Sequence, residues 1–239
     1  MRIIEKFSGV SVLCAGDVMV DHFIRGTIER ISPESPVPVL RTEISQTFPG
    51  GAANVARNIA ALGGRCTLIG VVGNDAAAKT LRADLNAIAG IQTKFVVNDR
   101  RGTIEKKRCV AQNQQVLRVD TEETSPIADK DAENLLDLLA GTMGGHDILV
   151  LSDYAKGVLT DSVIARAIAL ARDKGIKIVV DPKSPALSRY RGASVSTPNS
   201  REIAAATGID PAQARTRAAR AAAQDAAQAG VDAVLLALG

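Results

Sequence analysis

Carboxylates, amides and lysines follow several apolar segments of this chain, and these are the residues best suited to chemistry. Ligands of open parallel sheets bind beyond the carboxyl ends of the strands, which is where such residues would lie. Carboxylates and amides hydrogen-bond to vicinal hydroxyl groups, lysines attract phosphate, and a glutamate near an asparagine suits hydrated Mg²⁺. The mixture predicts a polyol and a phosphate donor as ligands. The candidates are Asp17, Asp21, Gly50, Gly51, Asn54, Asp153, Tyr154, Lys156, Gly157, Asp181, Lys183, Thr197, Pro198, Asn199 and Glu202.

The segment "FPGGAANVARNIAALGG" (48–64) predicts a helix whose first turn carries almost no side chains. The unpaired N–H groups of a helix start carry partial positive charge, and small residues let an oxygen-rich ligand approach them. The alternative is a Gly-Gly turn before an ordinary packing helix, because Val55, Ile59 and Leu62 form an apolar stripe at helical spacing. This stretch alone does not decide between the two.

Each of the other candidates also has a structural alternative. The aspartates Asp17, Asp21, Asp153 and Asp181 are suited to turns and helix caps as well as to ligands. In "STPNSRE" (196–202), an asparagine followed three residues later by a glutamate is the pattern of a capping box. His22 and His146 are isolated in the sequence, and we expect both to be structural or exposed.

Apolar segments alternate with helical patterns along most of the chain. Buried strands are expected at 10–20, 66–73, 147–153, 176–182 and 231–239. Helices are expected from Gly51 to about Leu62, from Asp75 to about Ala89, and after Thr160 as far as Gly175. An Ala-rich region at 204–230 predicts a short helix, a turn and a long surface helix. This order predicts an α/β fold, a doubly wound, mostly parallel sheet with helices on both faces.

Two stretches interrupt that alternation. Residues 22–48 and 93–119 alternate polar and apolar residues around proline-containing or "NDRRG" turns, which predicts antiparallel, half-exposed strands. We expect these strands to form a small sheet that projects from the main one. Its exposed apolar face would have to be covered by a ligand, by the main domain or by another copy of the chain.

The composition excludes several classes of protein. A net charge of +3 over 239 residues gives no support for nucleic acid as a partner, and no apolar segment is long enough to span a membrane. The N-terminus lacks the pattern of a signal peptide, and Cys14, Cys66 and Cys109 are predicted to be reduced, so we expect a cytoplasmic protein. The phosphate-binding motifs GxxxxGK[ST] and GxGxxG are absent from the sequence.

Several of these motifs, in this order, resemble the ribokinase-like family of carbohydrate kinases. They are "GDVMVD" (16–21), "PGGAANVARNIAALG" (49–63) and "TPNSREI" (197–203). "RISPESPVPVL", "NQQVLRVD" and "LSDYAKGVLT" are similar, more narrowly, to the heptose 7-phosphate kinases within that family. The resemblance extends from about residue 10 to residue 239, and "RISPESPVPV" is its most specific part.

The resemblance implies a ribokinase-like fold with a β-sheet lid, formed by 22–48 and 93–119, that commonly also builds a homodimer. It implies transfer of the γ-phosphate of ATP, with Mg²⁺, to the anomeric hydroxyl of heptose 7-phosphate, a step towards ADP-heptose and lipopolysaccharide core. Arg101, Lys107, Arg108 and Arg118 are all candidates to meet the 7-phosphate. The sugar-binding residues would be Asp17, Asp21, Gly50, Gly51, Asn54 and Lys156. The nucleotide-binding residues would be Lys183, Asn199, Ser200, Arg201 and Glu202, with Glu202 also at the metal.

One family signature is missing from residues 1–239. A Gly-Ala-Gly-Asp turn, whose aspartate would be the catalytic base, is expected after a strand such as "DAVLLALG" (232–239), so the base is expected beyond Gly239. We therefore expect a single kinase domain that is incomplete at its C-terminus and has little activity alone. Some family members continue into a nucleotidyltransferase domain. The alternatives are a kinase of another sugar or of a nucleoside, and a sugar-phosphate-binding protein without catalysis.

Overall fold

A six-stranded parallel sheet forms the centre of the fold. The computed structural model describes residues 3–209 and 215–236. The order of strands in this large sheet is β10-β9-β8-β1-β4-β5. The strands are β1 (Ser11–Gly16), β2 (Val18–Ile31), β3 (Pro38–Gly51), β4 (Arg65–Gly73), β5 (Ile91–Asn98), β6 (Ile104–Ala111), β7 (Gln114–Thr121), β8 (Ile148–Ser152), β9 (Lys177–Asp181) and β10 (Val195–Ser196). The α-helices are α1 (Ala52–Ala61), α2 (Ala76–Asn86), α3 (Asp129–Thr142), α4 (Asp161–Asp173), α5 (Ser200–Thr207) and α6 (Arg215–Ala229).

Helices cover both faces of the large sheet. Successive residues of a strand point to opposite faces, so Leu13 and Cys14 of β1 belong to different apolar cores. The Leu13 core contains side chains from α3 and α4, whereas the Cys14 core contains side chains from α1 and α2. The predicted doubly wound α/β architecture is therefore confirmed, and continuous apolar strands result from burial on both faces.

The predicted helix starts are also observed. The Asp75 side chain accepts a hydrogen bond from the Ala78 N–H group at 2.8 Å, and Thr160 accepts one from Val163 at 3.3 Å. Asn199 and Glu202 form the predicted capping box of α5. Helix α2 ends at Asn86 rather than near Ala89. Helix α6 buries one face, because Ala218, Ala222, Ala226 and Ala229 are at most 5% exposed.

A second, four-stranded sheet is built from the two stretches that interrupt the alternation. Its order is β3-β2-β6-β7, and the 22–48 stretch supplies the antiparallel pair β2 and β3 as predicted. The prediction for 93–119 is wrong in its first part, since residues 93–98 lie in β5 of the large sheet, parallel to β4. The central pair β2 and β6 is parallel rather than antiparallel. The reason is that β6 enters from the large sheet instead of from a hairpin with β2.

The strand predicted at 10–20 is divided into two. The division falls at Asp17, where β1 of the large sheet ends and β2 of the small sheet begins. The apolar run is continuous because both strands are buried on either side of the junction. None of the described helices is long and apolar enough to cross a bilayer.

The strand predicted at 231–239 is observed only in part. Its described residues contain one parallel bridge, between Ser196 and Val234. Residues 237–239 lie outside the described residues. Gly239 is one of them. The turn with the catalytic base, which the family resemblance places after Gly239, therefore stays a prediction. Residues 210–214 of the predicted C-terminal turn also lie outside the described ranges.

Candidate functional site

Asp17 lies at the junction of the two sheets and holds the loop that follows β8. Its side chain is fully buried, and Oδ2 accepts hydrogen bonds from the Tyr154 and Lys156 N–H groups at 2.8 and 3.1 Å. Oδ1 accepts a third bond from the Val158 N–H group at 3.2 Å. Burial raises the pKa of Asp17, and the three backbone donors oppose that effect. Asp17 therefore presents no exposed surface to a ligand, and in this structure it positions the 154–158 loop.

Asp21 faces the start of helix α1 from the first residues of β2. A Cβ atom at Gly50 would lie 2.5 Å from Asp21 Oδ2, so any side chain there would displace the carboxylate. Gly51 is the N-cap residue of α1 with a φ of 57°, and a Cβ atom there would lie 2.4 Å from the Asp17 carbonyl oxygen. The bare helix start thus lets the half-buried Asp21 carboxylate pack directly against the backbone at Gly50.

Arg108 pairs with Asp21 on one face of the small sheet. Its Nη1 lies 2.5 Å from Asp21 Oδ1, and its guanidinium is 5.3 Å from the centre of the Phe23 ring. Phe23 makes an edge-to-face contact with Phe48, whose ring in turn lies 5.9 Å from the guanidinium carbon of Arg57 in α1. We call this the Asp21 face: on it Asp21, Phe23, Phe48 and Arg108 lie together, and Arg57 of α1 lies beside Phe48.

The register of the small sheet separates the four basic residues that the sequence left open. Arg108 lies opposite Arg118 in the pairing of β6 with β7, so both belong to the Asp21 face. Lys107 alternates with Arg108 and lies opposite His22, on the other face, where His22 Nε2 contacts Glu105 at 2.7 Å. Arg101 precedes β6, and among the described residues its guanidinium donates to backbone carbonyl groups only. Among these four, Arg108 is the one seen in the described structure to contact a predicted sugar-binding side chain.

Lys156 joins the loop after β8 to the small sheet. Its Nζ donates to Glu122 Oε1 at 2.7 Å, and the other oxygen of Glu122 accepts from Lys106 Nζ at 2.9 Å. Lys106 also contacts Asp120 at 3.1 Å, and the two lysines hold the pKa of Glu122 below its usual value. Neither Lys106 nor Glu122 is among the predicted site residues, although Lys106 lies on the same face of β6 as Arg108.

Asp153 is part of a structural cluster and not of an open site. Its Oδ2 accepts bonds from Arg189 Nη1 at 2.8 Å and from the Tyr190 hydroxyl at 2.7 Å. Arg189 continues to Asp161 at 2.5 Å and to the Leu159 carbonyl group at 2.9 Å. Its Oδ1 accepts from the Ala155 N–H group at 2.8 Å, so the turn that was the alternative to a ligand role is observed, and Asp153 is 3% exposed.

The predicted nucleotide-binding residues gather at the start of α5. Asn199 Oδ1 accepts from the Arg201 and Glu202 N–H groups at 3.0 and 3.1 Å, and Glu202 Oε2 accepts from the Asn199 N–H group at 2.9 Å. The second oxygen of Glu202 lies 3.6 Å from Lys183 Nζ. Burial and the negative charge of Glu202 raise the pKa of Asp181 to about 6. The Asp181 carboxylate at the end of β9 thus senses the charge of Glu202 in the first turn of α5.

Tyr154 follows β8 and is partly buried. Burial raises the pKa of its hydroxyl group, and the charges of Asp181, Asp21 and Glu202 add to that effect. A phenol that responds to all three carboxylates lies within electrostatic range of both halves of the site. Asn54 and Arg201 are exposed on the first turns of α1 and α5.

Comparisons with known proteins identify the family. Residues 11–239 match the model of the "pfkB family carbohydrate kinase". The chain belongs to this family.

Its curated relatives include "Bifunctional protein HldE" of Gluconacetobacter diazotrophicus, which is 50% identical over 218 residues, or 90% of this chain and 45% of the relative. The protein of the same name from Caulobacter vibrioides is 48% identical over 86% of this chain and 42% of the relative. This chain therefore spans about half the length of the curated relatives that it matches.

Solved structures of pfkB-type folds superpose on the chain. Phosphofructokinase-2 from Escherichia coli, in its tetrameric inhibited form, gives a TM-score of 0.76 at 23% identity and covers 96% of this chain and 74% of its own. Arabidopsis thaliana ribokinase complexed with ribose and ATP gives a TM-score of 0.71 at 19% identity, over 97% of this chain and 72% of its own. These likenesses establish the ribokinase-like fold, and membership of a carbohydrate kinase family implies the use of ATP.

Proposed function

We propose that this chain is the sugar-kinase part of an ADP-heptose synthesis protein. In this proposal it binds heptose 7-phosphate, the acceptor of the ATP γ-phosphate at the anomeric hydroxyl, in the cytoplasm. The family membership and the HldE relatives support a carbohydrate kinase of this lineage. The narrower choice of heptose follows from the resemblance of "RISPESPVPVL" and "LSDYAKGVLT".

The contact between Asp21 and Arg108 beside the bare start of α1 carries the proposal. A carboxylate accepts hydrogen bonds from two neighbouring hydroxyl groups of a sugar, and a guanidinium binds phosphate with two parallel hydrogen bonds. Asp21 and Arg108 offer both groups 2.5 Å apart, next to Gly50, which has no side chain to displace the carboxylate. In our proposal Asp21 and Asn54 bind sugar hydroxyls, Arg108 meets the 7-phosphate and Lys156 also contacts phosphate.

The residues at the end of β9 and at the start of α5 fit a nucleotide with Mg²⁺. Mg²⁺ is usually held by one or two carboxylates together with water and phosphate oxygens, and in our proposal Asp181 and Glu202, whose charges interact, supply them. In the described part of the chain no three His, Cys, Asp or Glu side chains are placed to share one metal ion. Bound Mg²⁺ would neutralise charge on the phosphates. Lys183, Asn199, Ser200 and Arg201 would lie along the nucleotide.

We propose that a polypeptide of these 239 residues binds its sugar but transfers little phosphate. The Gly-Ala-Gly-Asp segment that the family resemblance assigns to the catalytic base does not occur in residues 1–239, and in our proposal it lies beyond Gly239. Two candidate aspartates within the described residues are engaged elsewhere, since Asp17 and Asp153 are buried in backbone and side-chain contacts. A general base must reach the hydroxyl proton that it removes.

The small sheet has two further roles in this proposal, as a lid over the sugar and as the contact of a homodimer. Its Asp21 face would cover the ligand. Val116, Leu117 and Val119 on β7 are 45–56% exposed, which supports a second copy as the cover of that edge of the sheet.

Titration calorimetry with heptose 7-phosphate, heptose and fructose 6-phosphate tests the proposal. We expect binding of heptose 7-phosphate, and at least a tenfold loss of affinity in Arg108→Met, about 1.4 kcal/mol. Arg118→Met is the matched control, because Arg118 lies opposite Arg108 but contacts Asp120 instead of Asp21. Preference for fructose 6-phosphate would contradict the heptose assignment, and phosphate transfer by this polypeptide would contradict the proposed lack of turnover.

A further inference from the structure

Arg101 occupies an unusual place for a charged residue. It is 8% exposed, and no other lysine or arginine in the described part of the chain is buried to that degree. It lies in the connection that leads from β5 of the large sheet to β6 of the small sheet. Asn98 shapes this connection, because its Oδ1 accepts from the N–H groups of Arg100 and Arg101 at 2.7 and 2.8 Å.

The Arg101 guanidinium joins three segments through backbone carbonyl groups. Nη1 donates to the Ser125 carbonyl at 2.7 Å, and Nη2 donates to the Glu123 carbonyl at 2.5 Å. These two residues belong to the connection by which the chain returns from β7 to α3. Nη2 also donates to the carbonyl of Lys156, in the loop after β8. One side chain thus links both connections of the small sheet to the loop that carries a proposed phosphate ligand.

A buried Arg101 guanidinium without a carboxylate partner destabilises the fold unless its N–H groups find hydrogen-bond acceptors. No carboxylate of the described residues lies within salt-bridge distance of Arg101, and burial lowers the pKa of its guanidinium. A buried charge is tolerated when its donors are all satisfied, and the planar fork of arginine can satisfy several carbonyl groups at once. Lysine has three donors on a single nitrogen and cannot span the same three carbonyls.

Lys156 is consequently held from three directions. Asp17 accepts from its N–H group at 3.1 Å, Arg101 donates to its carbonyl, and Glu122 accepts from its Nζ at 2.7 Å. The next residue, Gly157, has a φ of 85° and packs so closely that a Cβ atom would lie 2.0 Å from the Ser125 carbonyl oxygen. The 154–158 loop is therefore fixed to the β5–β6 and β7–α3 connections, and it can move only together with them.

We propose that Arg101 is a positioning residue for phosphate binding. It fixes the main chain of Lys156 to both connections of the small sheet, so that the Lys156 ammonium group keeps its place relative to the Asp21 face. The inference rests on the proposed function in one respect, the assignment of Lys156 to phosphate. Arg101 itself does not touch the ligand.

Hydrogen exchange and calorimetry on the 239-residue chain test this role. In Arg101→Met we expect amide exchange in 153–158 and 122–127 to rise at least tenfold. We expect affinity for heptose 7-phosphate to fall at least tenfold, while affinity for unphosphorylated heptose stays within twofold. Arg101→Lys keeps the charge and should show an intermediate effect, and it serves if the methionine variant does not fold.

Leu85→Ala provides the control for general destabilisation. Leu85 is fully buried in α2, in the core that contains Cys14, and it lies at the opposite end of that helix from Asp75. Leu85→Ala should lower the global free energy of unfolding without a selective increase of amide exchange in 153–158. Unchanged exchange there in Arg101→Met, or equal losses of affinity for both sugars, would overturn the inference. If the unaltered chain binds no sugar phosphate, the proposed function fails, while the exchange result still decides whether Arg101 holds the loop.

Discussion

Single residues fix the orientation of the Asp21 carboxylate. Gly50 must lack a side chain, because a Cβ atom there would lie 2.5 Å from Asp21 Oδ2 and 2.9 Å from Met19 Cγ. Asp21 in turn is oriented by Arg108. The carboxylate therefore keeps its direction only while the backbone opposite it carries no side chain.

Gly50→Ala should reduce ligand affinity more than stability. We expect at least a tenfold loss of affinity for heptose 7-phosphate, because the new methyl group would displace the Asp21 carboxylate. The cost in unfolding free energy should be about 1–3 kcal/mol, as for other overpacked sites. Calorimetry and urea denaturation measure the two effects. Gly144→Ala is the control, since no atom lies within 4 Å of the added carbon, and equal affinities in the two variants would refute the argument.

At the scale of elements, the connections between the two sheets are the critical parts. Asp75 caps α2 and also accepts from the Thr103 N–H and hydroxyl groups, both at 2.8 Å. Thr103 in turn accepts from the Gly73 N–H group at 3.0 Å, so the end of β4, the start of α2 and the start of β6 share one network. Burial acts to raise the pKa of Asp75, but the bonds from Thr103 and Ala78 keep it below its usual value.

The contribution of Asp75 to stability should depend on pH. A carboxylate whose pKa is lower in the folded state stabilises that state above its unfolded pKa, and the contribution is lost as pH falls through the folded value. We expect Asp75→Asn to cost about 1–2 kcal/mol at neutral pH, since asparagine caps helices well but cannot accept all these bonds. The difference from the unaltered chain should shrink below about pH 4.

Urea denaturation over a range of pH values measures this difference. Asp99→Asn is a suitable control, because Asp99 is exposed and makes one bond to Asn74. A cost for Asp75→Asn that is independent of pH would show that charge on Asp75 is not the source of the stabilisation.

At the scale of the whole molecule, the small sheet projects from the large one and leaves apolar side chains in water. Leu117 is 56% exposed on β7, and Val119 follows it on the same face. Exposed apolar groups on an edge strand favour pairing with another chain. This supports the proposed homodimer through the small sheet.

Leu117→Lys should therefore weaken self-association. We expect the sedimentation profile to shift towards monomer at micromolar concentration, with the unfolding free energy changed by less than about 0.5 kcal/mol. Val97→Lys is the matched control, because Val97 is 48% exposed on the edge of the large sheet instead. If the unaltered chain is monomeric, or if both variants associate equally, the small sheet is not the contact.

The local rules of the sequence predicted most of the large sheet. Buried strands such as 66–73 follow from continuous apolar residues, and the caps at Asp75, Thr160 and Asn199 follow from side chains that accept neighbouring N–H groups. The resemblance of motifs such as "PGGAANVARNIAALG" added the ribokinase-like fold, and the comparisons confirmed it. These features depend on residues that are close together along the chain.

The burial and pairing of the candidate residues depend on the tertiary structure. Asp17 and Asp21 are four residues apart and chemically alike, yet one is buried under three backbone donors while the other pairs with Arg108. Residues 93–98 carried a pattern of half-exposed strand and were placed in the large sheet by their pairing with β4. Local patterns were enough for most buried strands of the large sheet, for the caps of α2, α4 and α5 and for the bare helix start. The roles of Asp17, Arg101 and Arg108 depend on partners distant along the chain, and no local pattern specifies such partners.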